Sequence, residues 1–432
     1  MDSKELHERG VVAVAITWVD NSGITRVKSV PTAELPHAAE HGVGASPVFD
    51  VFLLQDSIIN GRYVGGPVGD LRLRPDLDRL TVLAGQPGWA WAPADRFHQD
   101  GTPYALDQRG LAKKMTTKLQ EAGCTAKAGF EVEWVVGQNE DDFVPATKGP
   151  AYGHTRQVEL SDYCVDVLKA LAEQDVRVIQ FHPEYAAGQF EISTAATDPL
   201  HAADTAVLVK ETIRAVTARH GLRASFSPKV TAAGVGNGGH LHLSLWRDER
   251  NLFSGGEGRF GLTTEAEAFA AGILDHLPAL CAIGSPSVAS YLRLVPSHWA
   301  APFAAWGLEN RETALRLVSG RNEAANLEIK SFDLSANPYL VIAGVLAAGL
   351  AGLTADRTLP APLDVDPATL TDIPRLPGAL TAAADALEAD TVLTEALGRE
   401  LVATIVDVRR GEVALFADST PEEIAAVTRW QH

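Results

Sequence analysis

Cysteine is scarce in this chain: three in 432 residues, at 124, 164 and 281, far apart and with no CxxC spacing. That excludes a disulfide framework or a thiolate metal site, and fits a reducing compartment. Basic residues are also in short supply, 37 Lys and Arg against 55 Asp and Glu, for a net charge of -18. Nucleic acid and anionic membrane are therefore poor partners. Long apolar runs are missing too. The longest, Leu340 to Leu353, is too short to span a bilayer, and the N-terminus has neither the basic start nor the apolar core of a signal peptide. Internal repeats and low-complexity tracts are absent. A soluble, cytoplasmic protein is expected.

With 46% hydrophobic residues, the chain has enough apolar side chain for a large core, and its length suggests two or three domains. Residues 11–19 and 24–30 read as two strands joined by the turn Asp20–Gly23, opening a small β-rich unit. This unit continues through Val48–Leu54 and the Gly-rich stretch 61–69 to a strand at 80–84, and Trp89–Pro103 reads as a linker. Asp107 then caps an amphipathic helix that Gly123 closes. The domain boundary is placed near 106, giving domains 1–106 and 107–432. Beyond it, helical patterns at 161–173, 199–220, 264–281 and 338–353 alternate with short strands, an α+β layout. The Ala-rich stretch 360–397 reads as a set of helices.

The chain is organised around residues 181–192, where Glu184 and Glu191 stand in otherwise uncharged surroundings. Two extended arms, 176–184 and 189–194, joined through Ala186-Ala187-Gly188, can present polar groups on one side. Three more strands share this habit. Glu131 and Glu133 point to one face of 129–136, opposite Phe130, Val132 and Trp134. His240, His242 and Ser244 alternate with Leu241, Leu243 and Leu245, and Glu328 and Lys330 oppose Leu327 and Ile329. Each strand alone suits a solvated face. Together, five carboxylates and two histidines are hard ligands of the kind that hold Mg²⁺ or Mn²⁺ around a transferring phosphoryl group. Arg311 and Arg316 can supply bidentate contacts to its oxygens. The stretch Gly234–Gly239 leads into a strand instead of a helix, which speaks against a dinucleotide fold.

In this order, Glu131-x-Glu133, Glu184, Gly188-Gln-Phe-Glu191, Asn237-Gly-Gly-His240-x-His242, Ser290-Tyr-Leu-Arg293, Asn310-Arg311 and Glu328 before Ala336-Asn-Pro-Tyr339 resemble type I glutamine synthetase and its γ-glutamyl-amine ligase relatives, from about residue 11 to 400. The resemblance implies an N-terminal β-grasp domain and a catalytic domain whose antiparallel strands line a funnel-shaped site. It implies two metal sites, Glu133, Glu184 and Glu191 holding one Mg²⁺ or Mn²⁺ and Glu131, His240 and Glu328 the other. Arg293, with Asn237, Gly238 and Glu184, would meet the substrate. His242, Ser244 and Arg316 would meet ATP, and Arg311 the transferring phosphate. Asp56 falls where the family's amine-binding aspartate sits. The implied assembly is two stacked hexameric rings, with each site completed by a neighbour's N-terminal domain.

The departures lie at the amine end of the site. Trp299 occupies the position of the flap glutamate that helps bind ammonium. An indole cannot take a proton from ammonium, yet it can cover an alkyl chain or stack on a cation and still exclude water. Lys330 stands for an arginine at the acyl acceptor end, keeping the charge and losing the fork. The expected activity is an ATP-dependent ligase joining the γ-carboxylate of glutamate to an organic amine through γ-glutamyl phosphate. The rivals are a true glutamine synthetase using ammonia and a non-catalytic scaffold. The sequence does not name the amine, but His298, Trp299, Phe303 and Trp306 lean towards an apolar amine pocket.

Overall fold

The computed structural model describes residues 3–140, 142–320 and 322–432. Its first sheet has six strands: β1 (Ala13–Val19), β2 (Thr25–Pro31), β3 (Val43–Ala45), β4 (Leu71–Pro75), β5 (Thr81–Val82) and β6 (Trp89–Phe97). The order is β2-β1-β6-β4-β3, with β5 also on β6, and β1 and β6 run parallel at the centre. The expected turn closes β1 onto β2, where Asp20 Oδ1 accepts from the Ser22 and Ile24 amides at 2.9 and 3.0 Å. Gly23 takes a φ of 74° there, and a Cβ on it would stand 1.8 Å from the Ser335 carbonyl oxygen. The turn is therefore seated against the backbone at Ser335 and Ala336.

The expected linker at 89–103 is corrected by the structure: its first nine residues form β6, the central strand. Ala90, Trp91, Ala92 and Ala94 are all buried. Pro93 is accommodated at the end of the β1 pairing, and its carbonyl accepts from the Asp76 amide at 2.8 Å. Residues 47–51 form a 3₁₀ turn.

The second sheet has nine strands: β7 (Thr125–Gln138), β8 (Val178–Pro183), β9 (Gln189–Thr194), β10 (Leu222–Ser225), β11 (Leu241–Arg247), β12 (Arg250–Asn251), β13 (Phe303–Leu308), β14 (Thr313–Val318) and β15 (Asn326–Ile329). Its path is β13-β14-β15-β11-β7-β9-β8. The long strand β7 joins the two halves, pairing with β11 through residues 125–130 and with β9 through 131–135. Period-two alternation sends Phe130, Val132 and Trp134 into the main core, all at most 5% exposed, and turns Glu131 and Glu133 to the other face.

Helices Pro199–Arg219, Thr264–Gly284 and Pro338–Thr354 fill that core. Thr264–Gly284 is long and apolar enough to cross a membrane, but most of it is buried inside the protein. The stretch 360–397 becomes α-helical only from Leu380; residues 360–379 are mostly irregular apart from a 3₁₀ turn at Pro367–Thr369.

Candidate active site

Strand register brings the carboxylates together. Glu133 lies opposite Glu191 across β7 and β9, His182 lies opposite Glu191 across β8 and β9, and His242 lies opposite Glu328 across β11 and β15. Two groups result. Ligand atoms of Glu131, His242 and Glu328 all lie within 4.8 Å of one another, as do those of His182, Glu184 and Glu191. His240 packs against the first group, with Nδ1 2.9 Å from Glu131 Oε2 and 3.3 Å from Glu328 Oε1. Glu133 sits between the groups, accepting from the Gly238 amide at 2.8 Å and from Gln189 Nε2 at 3.0 Å. Gly238 is required by this closeness, since a Cβ there would stand 2.3 Å from His240 Nε2 and 2.9 Å from Glu133 Oε1.

The two groups differ electrostatically. Burial, with Glu191 and Glu184 beside it, pushes the Glu133 carboxyl up to about 8, and burial also raises Glu191. Burial opposes ionisation of Glu131 as well, but the imidazoles of His240 and His242 beside it hold it well below the usual carboxylate range. Against its own burial, Lys330, His242 and His240 lower Glu328 to about 2. His240 is lowered to about 4 by burial and Lys330, while His242, beside Glu131 and Glu328, is raised to about 9 in spite of burial.

The donor set fits divalent cations. It is oxygen and imidazole with no thiolate, several like charges are buried together, and the buried His182 Nδ1 and His242 Nε2 make no hydrogen bond among the described residues.

Around these groups the remaining sequence-derived candidates are spread unevenly. Arg293, 4% exposed, donates to the Ser331 and Lys330 carbonyls at 3.1 Å each, and its Nη2 lies 3.3 Å from His240 Nε2. Asn237 Oδ1 accepts from Gln189 Nε2 at 2.9 Å. Lys330 Nζ reaches Glu328 Oε1 at 3.2 Å, and Arg316 is shared between Glu328 at 3.1 Å and Glu309 at 2.5 Å. Arg311 is exposed. Ser244 is buried, its hydroxyl accepting from Trp246 Nε1 at 2.8 Å.

Asp56 is exposed on the N-terminal sheet unit, paired with Arg26 at 2.7 Å, whereas Asp50 in the same segment is fully buried on Arg96 and Tyr104. Trp299 is 53% exposed, with its ring 6.1 Å from that of Tyr185. Trp306 and Phe303 are buried, and Trp306 Nε1 donates to the Pro360 carbonyl, so the apolar pocket expected from them is not formed.

Three contributors are not among the site residues expected from the sequence. His182 shows the same alternation as Glu184 and is legible by that signal. Gln189 binds Glu133, Asn237 and the Gly236 carbonyl at once, while Tyr152 OH donates to Glu184 Oε1 at 2.8 Å from an irregular segment. Gln189, two residues before Glu191, shares its face by the same alternation, whereas Tyr152 carries no signal of spacing.

The glutamine synthetase catalytic domain family matches residues 105–426. Over 445 aligned residues the chain is 54% identical to gamma-glutamylpolyamine synthetase GlnA3 of Streptomyces coelicolor, covering 100% of this chain and 96% of that protein. It is 30% identical to gamma-glutamylanilide synthase of an Acinetobacter species, over 99% of this chain and 93% of that one. A solved structure described as "GmaS/ADP complex-Conformation 1" matches with a TM-score of 0.87 and 29% identity, covering 97% of this chain and 96% of that chain. With the family comes the use of ATP and a divalent metal ion. The chain belongs to the glutamine synthetase family, where it is an ATP-dependent carbon–nitrogen ligase of the γ-glutamyl-amine branch.

Proposed function

We propose that this ligase joins the γ-carboxylate of glutamate to a polyamine-class organic amine, in the cytoplasm. The observation that carries the reading is the flap. Beside the carboxylate and histidine groups it presents the half-exposed indole of Trp299, whose backbone amide donates to the carboxylate of Glu312. An indole over an alkyl chain with carboxylates nearby suits an amine that is both aliphatic and cationic. The 54% identity to a gamma-glutamylpolyamine synthetase supports the same class.

Glu131, His240, His242 and Glu328 would hold one Mg²⁺ or Mn²⁺, and Glu133, His182, Glu184 and Glu191 the other. Bound there, the ions would neutralise charge on the nucleotide phosphates and on the transferring phosphoryl group. Arg311 and Arg316 flank that charge. Arg293 and Asn237, held by the 225–237 and 330–331 backbone, position the glutamate end. Lys330 faces the acyl group as a point charge, and Trp299 shields the γ-glutamyl phosphate from water until the amine attacks. Asp56, exposed and paired with Arg26, would complete a neighbour's site in a ring assembly. The division between the N-terminal sheet unit and the catalytic unit lies near residue 106, in keeping with a family match that begins at 105.

The test is phosphate release from ATP with Mg²⁺ and glutamate, across a panel of amines. Release that depends on di- and polyamines is expected. Release with ammonium as the preferred acceptor would restore glutamine synthetase, and silence across the panel would leave the scaffold reading.

A further inference from the structure

Next to the flap is a cleft of about 490 Å³ that none of the roles above uses fully, lined by Trp299, Glu309, Arg311, Glu312, Asp364 and Asp366 among others. Four of these six are acids. Glu309 is already paired with Arg316, and Asp366 Oδ1 accepts from the Ala368 amide at 2.9 Å. Asn310 Nδ2 donates to the Leu363 and Val365 carbonyls at 3.0 Å each, which fixes Asp364 and Asp366 in the wall.

Glu312 is different in kind. It is 9% exposed, and its Oε1 accepts from the Trp299 amide at 2.6 Å. Its Oε2 is buried and has no hydrogen-bond partner among the described residues. Burial raises this carboxyl, against the lowering effect of the Trp299 amide. A buried carboxylate oxygen with no donor is unfavourable until a donor arrives. A chain of contacts links it to the carboxylate groups: the Tyr185 amide donates to Glu184 Oε2 at 3.0 Å, the Tyr185 ring lies against Trp299, and the Trp299 amide donates to Glu312.

We propose that this cleft is a subsite for the distal ammonium of a diamine or polyamine co-substrate, with Glu312 Oε2 as its acceptor and Asp364 and Asp366 as further counter-charges. Trp299 covers the methylene chain between the attacking amine and this second cation. The inference rests on the reading of the protein as an organic-amine ligase. It makes Glu312 a specificity-determining residue: a monoamine of equal length leaves the buried oxygen unpaired, and a site built to hydrogen-bond a group rejects the analogue that lacks it.

The experiment compares 1,4-diaminobutane with butylamine as acceptors for the full-length protein with MgATP and glutamate, in wild type, Glu312→Gln and Asp364→Asn. The first of these variants keeps the side-chain volume and an oxygen for the Trp299 amide. The expected wild-type preference for the diamine in kcat/KM is at least roughly tenfold. Glu312→Gln is expected to bring it close to unity, chiefly through KM for the diamine, and Asp364→Asn to reduce it about threefold. An unchanged preference in Glu312→Gln would overturn the subsite while leaving the ligase reading intact. If the wild type uses only ammonium, the ligase reading fails. Calorimetric binding of the diamine to the ADP-loaded protein then decides the cleft: affinity weakened at least roughly tenfold by Glu312→Gln supports the subsite, and equal affinity overturns it.

Discussion

At the scale of single residues, the site's properties follow from carboxylates buried with few compensating cations. Glu133 is the extreme case: 8% exposed, facing Glu191 and Glu184, and held mainly by the Gly238 amide and Gln189. Its charge is costly in the metal-free protein and useful only when a cation is present. Removing that charge should therefore relieve the metal-free fold and spoil metal binding. In Glu133→Gln we expect a melting temperature without metal at least equal to that of wild type, a diminished upward shift on adding Mn²⁺, and activity reduced at least roughly hundredfold. Differential scanning calorimetry with and without Mn²⁺ checks the first two. A variant that melts lower without metal and keeps the full Mn²⁺ shift would remove Glu133 from the metal site.

At the scale of elements, helix Pro199–Arg219 buries Lys210, whose amine donates to the Leu334 carbonyl at 2.7 Å. Burial lowers this amine from 10.5 to about 7. The folded state thus disfavours the charged form relative to the unfolded chain. The resulting penalty is fully present below pH 7, shrinks as pH rises from about 7 to 10.5, and is gone above that. Lys210→Met should be more stable than wild type at about pH 6, with the gap in melting temperature narrowing by about pH 9.5. Parallel curves across that range would contradict it.

The same scale shows what the sequence makes legible. β7, β9, β11 and β15 can be read directly, because period-two alternation places every acid and imidazole on one face whatever the pairing partner. Which of them meet depends on register, so the pairing of His242 with Glu328 and of His182 with Glu191 requires the sheet. β6 reads as a linker because its Pro, Trp and Asp content matches a turn-rich segment, while its burial comes from long-range packing against β1. Glu312 has no local signal at all. Its burial is created by the flap folding over it.

At the scale of the whole molecule, the N-terminal sheet is joined to the catalytic helices by buried ion pairs as well as by the seated turn at Gly23. Arg109 donates to Asp204 twice at 2.9 Å, to Asp95 at 2.7 Å and to Asp76 at 2.7 Å, and Tyr339 OH also reaches Asp204 at 2.8 Å. Asp204 is fully buried. Arg79 Nε also lies 3.3 Å from Asp204 Oδ2, so truncating Arg109 leaves that carboxylate with one remaining cation, and Arg109→Met should lose about 2–4 kcal/mol, seen as a lower urea midpoint. A loss under about 1 kcal/mol would mean that the network relaxes through Arg79 and Tyr339 and contributes little to joining the two parts.

The central claim is that the amine end of a glutamine-synthetase-type site has been rebuilt for a cationic organic amine. It is tested most directly by competition: protein, MgATP and glutamate with equal concentrations of ammonium and 1,4-diaminobutane, and mass detection of the products. The account predicts γ-glutamyl-diaminobutane in clear excess over glutamine. Glutamine as the dominant product would contradict it.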